Sequence, residues 1–233
     1  MRPDPLNIRQ LTQRALGDPQ AWNLYAYVRN QPTIMVDPDG KTFNLSDNEK
    51  KRNEQLALIK KSLQNAEAAK HVVAVKDKNG NWVVGIQGIS GKDFNKLGTA
   101  AHGLNHLVNS VNDYKLEIGK STETAQGGGA ATDKGTIYLD PGAFPKDAGG
   151  VKETADTALA HEMGHLLEGE FGAGYIQSIK EKAGRSFLVQ SREGFAVAYE
   201  NAVRAEAQPP LDPRSFYIVP GDYADPGVSP IIP

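Results

Sequence analysis

Two histidines four positions apart, His161 and His165, flank a glutamate, Glu162, in the stretch DTALAHEMGHLLEGE from Asp156 to Glu170. Residues four apart on a helix point the same way. The two imidazoles can therefore each offer a nitrogen to one zinc ion at about 2.0–2.1 Å. Glu162 is turned about 100° from His161 on such a helix and need not coordinate. It is free to deprotonate a water that the metal has made acidic, and later to hand the proton to a leaving amine. Leu159, Met163, Leu166 and Leu167 surround these polar residues with apolar ones, as in a helix packed into a core. Gly164 costs about 1 kcal/mol relative to alanine in a helix but lets another backbone come close.

A catalytic zinc takes three protein ligands and keeps its fourth position open. The chain has no cysteine, and no histidine follows His165, so the remaining ligand must come from another residue type or an earlier segment. SREGFAVAYENAVRAE holds Glu193 and Glu200 seven apart, on one face with Val197 and Arg204. Phe195, Ala198, Tyr199 and Ala202 form the opposite, apolar face. A charged stripe of this kind suits a solvated surface or the wall of a wet cleft between helices, and both glutamates are candidates.

The other titratable residues say less. HGLNH places His102 and His106 four apart with Gly103 where a catalytic base would stand, so this pair cannot copy the first site. It is a core or surface pair, or a second metal site. His71, alone at a strand start, reads as structural, and Tyr217 and Tyr223 are possible donors to an oxyanion. The three glycines of QGGGA lack the Lys-Ser/Thr of a phosphate loop, and no cofactor beyond zinc is expected.

These residues sit in a chain of ordinary globular composition, 233 residues with 39% hydrophobic and 23% charged side chains. The net charge of −2, with Lys and Arg spread along the chain, leaves no basic footprint for nucleic acid or an anionic membrane. No apolar run approaches the roughly 20 residues of a membrane span, and MRPDPLNIRQ lacks the apolar core of a signal peptide. The expectation is a soluble chain with no nucleic-acid or membrane partner.

The elements expected to position the site follow from periodicity. Ser46 and Glu49 form a capping box ahead of a helix from about Asp47 to Lys70 carrying Leu56, Ile59, Leu63 and Ala66. HVVAVKDKNGNWVVGIQGI reads as a hairpin around Asn79-Gly80. A second helix should carry Leu97, Ala101, Leu104, Val108 and Val111. YKLEI and GTIYLD are short strands with a flexible turn at QGGGA between them. The motif helix should run from about Lys152 to Glu168 and stop at Gly169, Gly172 and Gly174. A last helix should span about Ser191 to Ala207, ended by Pro209 and Pro210 and followed by a proline-punctuated tail from about 208 to 233. The order points to α+β rather than a parallel α/β sheet.

Two stretches resemble known families. PDPL at Pro3 to Leu6 and WNLYAYVRNQPTIMVDPDG at Trp22 to Gly40 resemble the C-terminal end of the RHS-repeat core, a shell of spiralling strands in large bacterial proteins whose closing Asp-Pro-x-Gly stretch separates it from a variable C-terminal cargo, often a toxin. In that family the junction is commonly followed by Leu and cut autocatalytically. Lys41 stands at that place, so cleavage through Asp37 is not expected. The resemblance divides the chain into an RHS-core remnant, 1–40, and a cargo domain, 41–233. It implies delivery or secretion as part of a larger protein, with the RHS shell and an immunity protein as partners.

From about Gly135 onward, GTIYLDPG, ALAHEMGHLLEG and ENAVRAEAQPPLDPRSFY resemble a zinc metallopeptidase family that includes type III effectors and RHS-linked toxin tails. The resemblance implies a zincin-like fold, zinc as cofactor and a protein or peptide substrate. Related zinc enzymes often take their third ligand from a Glu with Ala three residues later, which Glu193 and Ala196 reproduce. Glu193 is thereby the implied ligand and Glu200 the runner-up, with Asn201 and Arg204 as supporting residues. The family often has Arg where this chain has Leu211 and Asp212. The expectation is a zinc peptidase with Glu162 as base. Its alternatives are a zinc hydrolase of cell-wall or other non-protein amides, or a non-catalytic RHS tail.

Overall fold

A computed structural model describes residues 42–126, 129–144, 151, 153–182 and 193–214; for 126, 171–182, 193 and 194 it describes the backbone alone. The RHS-like segment 1–40, together with Tyr217 and Tyr223, lies outside the described residues. The elements are β1 (Phe43–Asn44), α1 (Glu49–Ser62), α2 (Ala66–His71), β2 (Val72–Lys76), β3 (Trp82–Ile86), α3 (Gly91–Asn95), α4 (Thr99–Val108), β4 (Tyr114–Ile118), α5 (Thr122–Gln126), β5 (Ala130–Asp133), β6 (Thr136–Leu139), α6 (Ala155–Lys182) and α7 (Glu193–Glu206). The fold is α+β.

Six strands form one mixed sheet in the order β2-β3-β1-β4-β6-β5. β4 runs parallel to β1 and β6, while β2 with β3 and β5 with β6 are antiparallel hairpins. Alternation sets the buried face: Tyr114 and Leu116 point in, Lys115 and Glu117 pair on the other side at 2.6 Å. Ile137 and Leu139 continue the inner face and meet Ile59 and Leu63 of α1, Leu104 and Leu107 of α4, and Leu159, Met163 and Leu167 of α6 in one core. Gln55 of α1, itself buried, accepts from the Ser46 N–H and donates to the Leu116 carbonyl, locking that helix to the sheet.

Several boundaries differ from those periodicity predicts. The single helix over 47–70 is two helices. Gln64 adopts φ 51°, and the Asn65 side chain accepts the N–H groups of Glu67 and Ala68, starting α2 afresh. Asn48, not Ser46, caps α1, accepting from the Lys51 N–H at 3.1 Å. The second helix begins only at Thr99, since Gly98 lies at φ 136°, and Val111 falls beyond its end, 52% exposed. A strand that periodicity does not predict, β5, begins at Ala130, the last residue of the stretch read as a flexible turn, and its turn to β6 places both Lys134 and Gly135 at positive φ, as a type I′ hairpin requires. Gly129, at φ 122°, leads into it where a Cβ would meet the Ala143 carbonyl oxygen at 2.1 Å.

The motif helix α6 runs past Gly169 instead of stopping there. The reason is tertiary: Glu170 accepts hydrogen bonds from Ser110, Asn112 and Tyr114, and His106 lies 3.8 Å from its other oxygen. That anchor holds the turn beyond the glycine, which by itself would favour an end. Among the described residues no helix is long and apolar enough to cross a membrane.

From Asp156 to Gly164 every residue of α6 is buried, enclosed by the sheet, α1, α4 and α7. Its small residues make this possible. At Gly164 a Cβ would lie 2.7 Å from the Ala196 Cα, so the α6 and α7 backbones meet there. Gly164→Ala should lower stability in a urea melt by about 1–3 kcal/mol through overpacking, despite the gain of about 1 kcal/mol in helix propensity. A more stable variant would mean that the two helices do not meet at this point.

Candidate metal and catalytic site

Burying a polar side chain costs free energy unless it finds a partner, so the neighbours of α6's buried polar residues define the site. His161 and His165 face each other edge to face, ring centroids 4.9 Å apart and planes at 85°. The His161 side chain is 3% exposed and that of His165 20%. The site thus opens on the His165 side and is closed behind His161. Glu162, 4% exposed, accepts a hydrogen bond at Oε2 from the Thr132 hydroxyl of β5 at 2.6 Å.

Behind His161 lies Glu200 of α7, its Oε2 3.2 Å from His161 Nδ1 and its side chain wholly buried. Two guanidiniums hold this carboxylate. Arg204 reaches back one turn, donating from Nε to Glu200 Oε1 at 2.6 Å, and Arg214 Nη1 lies 3.0 Å from Glu200 Oε2. The same Arg214 nitrogen lies 3.0 Å from Glu153 Oε2, and Arg204 Nη2 is 3.9 Å from Glu153 Oε1. Arg204 Nη2 also donates to the Thr157 hydroxyl at 3.3 Å. Two buried carboxylates and two buried guanidiniums therefore balance in formal charge around His161.

Burial alone would push the Glu200 carboxyl up. The hydrogen bond with His161 and the charges of Arg214, His161 and Arg204 overcome it and hold the group down at about 2. Glu153 goes the other way: burial, then the Glu200 charge, push it up to about 7 against the pull of Arg214, His161 and Arg204. Glu200 is the anion of the cluster, and Glu153 is its more weakly ionised outer member.

The candidates that sequence supplies divide accordingly. His161, Glu162 and His165 lie together. Glu200, runner-up for third ligand, has its oxygens engaged by arginines and faces His161 Nδ1, the position of an outer partner that fixes a ligand imidazole and leaves Nε2 for metal. Glu193 opens α7, and its side chain lies outside those described. The helices are antiparallel, with Gly164 against Ala196, His161 against Glu200 and Thr157 against Arg204. Continuing that register sets the start of α7 opposite the turn of Leu167 and Glu168, just past His165. Among the described residues, no three His, Asp or Glu side chains cluster as a complete metal site. What is described is two of the donors a zinc ion would need: imidazoles one turn apart, each with its Nδ1 near a carboxylate, Glu168 being 3.8 Å from that of His165.

Asn201 clamps the C-terminal segment. Its Nδ2 donates to the Arg214 carbonyl at 2.8 Å and its Oδ1 accepts the Arg214 N–H at 2.6 Å, while the Leu211 N–H donates to the Arg204 carbonyl at 2.9 Å. The beginning of the expected tail is thus part of the site. Sequence reasoning passed over Arg214, Glu153, Thr157 and Thr132. A lone arginine among the prolines of QPPLDPR was the available signal for the first, and nothing local marks the others.

The second histidine pair has a packing explanation for its glycine. A Cβ at Gly103 would lie 2.2 Å from the Tyr199 hydroxyl, so the residue between His102 and His106 is small to admit α7. His71 Nδ1 is 2.9 Å from the Gln87 carbonyl oxygen, and its ring meets Phe94 edge-on.

Arg214→Ala leaves two buried carboxylates short of a cation. It should lower the stability measured by urea unfolding by about 3–5 kcal/mol, and ending the chain after Gln208 should have a comparable effect. A loss below about 1 kcal/mol, as for an exposed ion pair, would contradict the burial of this cluster. No protein-family model matches this chain, and neither does any curated protein or solved structure.

Proposed function

We propose that the chain is a zinc-dependent metallopeptidase, the C-terminal cargo of an RHS-type bacterial protein that acts as a secreted effector or toxin on proteins of another cell. The observation carrying the peptidase reading is the buried pair His161 and Glu162, each held by a specific polar partner on another element. A helix with two incidental histidines has no use for a four-member buried charge cluster behind one of them. His161, His165 and Glu193 would hold the metal, with Glu200 as the outer partner of His161 and with Arg204 and Asn201 supporting it.

A zinc ion held by His161, His165 and Glu193 would supply Lewis acidity, which makes water acidic near neutral pH and favours attack on a carbonyl. Glu162 takes the proton of the attacking water and returns it to the leaving nitrogen. Glu200 accepts from His161 Nδ1–H, keeping that imidazole neutral and its Nε2 available. β5 lies at the edge of the sheet beside Glu162. An extended peptide can add to such an edge as another strand, which favours a polypeptide over a cell-wall amide as substrate. Delivery, toxicity, the RHS shell and an immunity protein rest on the resemblance of segment 1–40, not on site chemistry.

Chain purified without chelators should carry about one zinc. Glu162→Gln should keep that zinc and lose cleavage of unfolded casein by about 10²- to 10⁴-fold. Cleavage by this variant at the wild-type rate would sink the mechanism. Peptidoglycan fragments offered in parallel separate the amide-hydrolase alternative, which predicts that they alone are cut. Absence of zinc after metal is offered to folded protein would favour the non-catalytic tail.

A further inference from the structure

Thr132 belongs to no motif and lies in a strand that the sequence does not announce. Its hydroxyl is nevertheless the partner that the structure gives Glu162, at 2.6 Å from Oε2 and 3.4 Å from the Glu162 main-chain oxygen. The two residues are 30 positions apart, one on the edge strand and one on the buried helix, so the contact is made only by the fold.

The outermost torsion of a glutamate is broad and nearly two-fold, so the side chain does not set its own carboxylate plane. A hydroxyl donating to one oxygen sets it, and here it takes Oε2 and leaves Oε1 for a reacting proton. The strand keeps the hydroxyl in place: Thr132 pairs with Ile137 of β6, within a hairpin closed at Lys134 and Gly135. A tether on a rigid strand holds a catalytic group more closely than one on a loop.

We propose that Thr132 is the positioning residue of the general base, fixing the orientation of the Glu162 carboxylate from the edge strand. The inference rests on the metallopeptidase reading and deepens it. The strand available to an extended substrate is the strand that aims the base, so peptide register and proton transfer share one reference. Loss of the hydroxyl should therefore lower kcat and leave KM nearly unchanged.

The test uses the zinc-loaded full chain and acetohydroxamic acid, a small chelator that also shares a hydrogen with the base, so that no natural substrate is needed. Thr132→Val keeps the branched shape and strand preference but removes the donor; Thr132→Ser keeps the donor. The valine variant should hold its zinc and bind the hydroxamate about tenfold or more weakly, the scale of losing an outer-shell partner. Serine should restore affinity to within about threefold. The double variant with Glu162→Gln should bind no more weakly than Glu162→Gln alone, because Thr132 acts through that carboxylate. Wild-type affinity in the valine variant, losses that add in the double variant, or failure of serine to restore binding would each overturn the assignment. Wild-type protein that takes up no zinc would instead overturn the peptidase reading itself, before Thr132 is altered.

Discussion

The Glu200 carboxylate has no solvent exposure, and it is the constraint from which the rest of the site can be derived. A buried ion is tolerated only when paired and hydrogen-bonded. Glu200 meets that condition by drawing in partners from three directions: His161 from α6, Arg204 from its own helix and Arg214 from the segment after α7. Arg214 and Arg204 bring a second carboxylate, Glu153, from the segment before α6. The cluster ties the start of α6 to the end of α7, at one end of the antiparallel pair. Moving either helix would leave a buried charge unpaired, which opposes separation of α6 and α7 alongside the apolar contacts.

Close approach makes those distances possible. Gly164 and Ala196 let the two backbones touch, which puts His161 one turn away within reach of Glu200. Gly103 does the same for α4, admitting the Tyr199 ring and hydroxyl. Small residues at the crossings and charged ones just beyond them are thus two parts of one packing solution. A larger residue at either glycine acts on the site through the helix positions, without touching a histidine.

The site grades from rigid to accessible along one helix. His161 and Glu162 are enclosed and tethered, whereas His165 and Glu168, one turn on, are partly exposed. The proposed hydrolytic centre would use this combination: fixed groups for positioning and an open side for entry of substrate and water. Thr132 on the edge strand stands between the two regimes, bound to the enclosed glutamate yet carried by the strand at the margin of the sheet.

Local chemistry made some of this legible. The spacing of His161, Glu162 and His165, the hairpin at Asn79-Gly80, the strands YKLEI and GTIYLD and the α+β order all follow from periods and turn residues, which depend on near neighbours alone. Elements whose stability comes from elsewhere were hidden. α6 continues past Gly169 because Glu170 is gripped by residues 110–114, and β5 forms because β6 pairs with it across an uncommon Lys-Gly turn. The stripe holding Glu200 and Arg204 could be read as solvated or as a wall, since spacing fixes which residues share a face but not what covers that face. The sequence alone determined the donor pair on one helical face; the tertiary structure decided that it is buried, that Glu200 backs His161, and that Arg214 and Thr132 complete it. The physical reason is that a helix orients its own side chains through the backbone, whereas desolvation and charge pairing are properties of segments meeting in space.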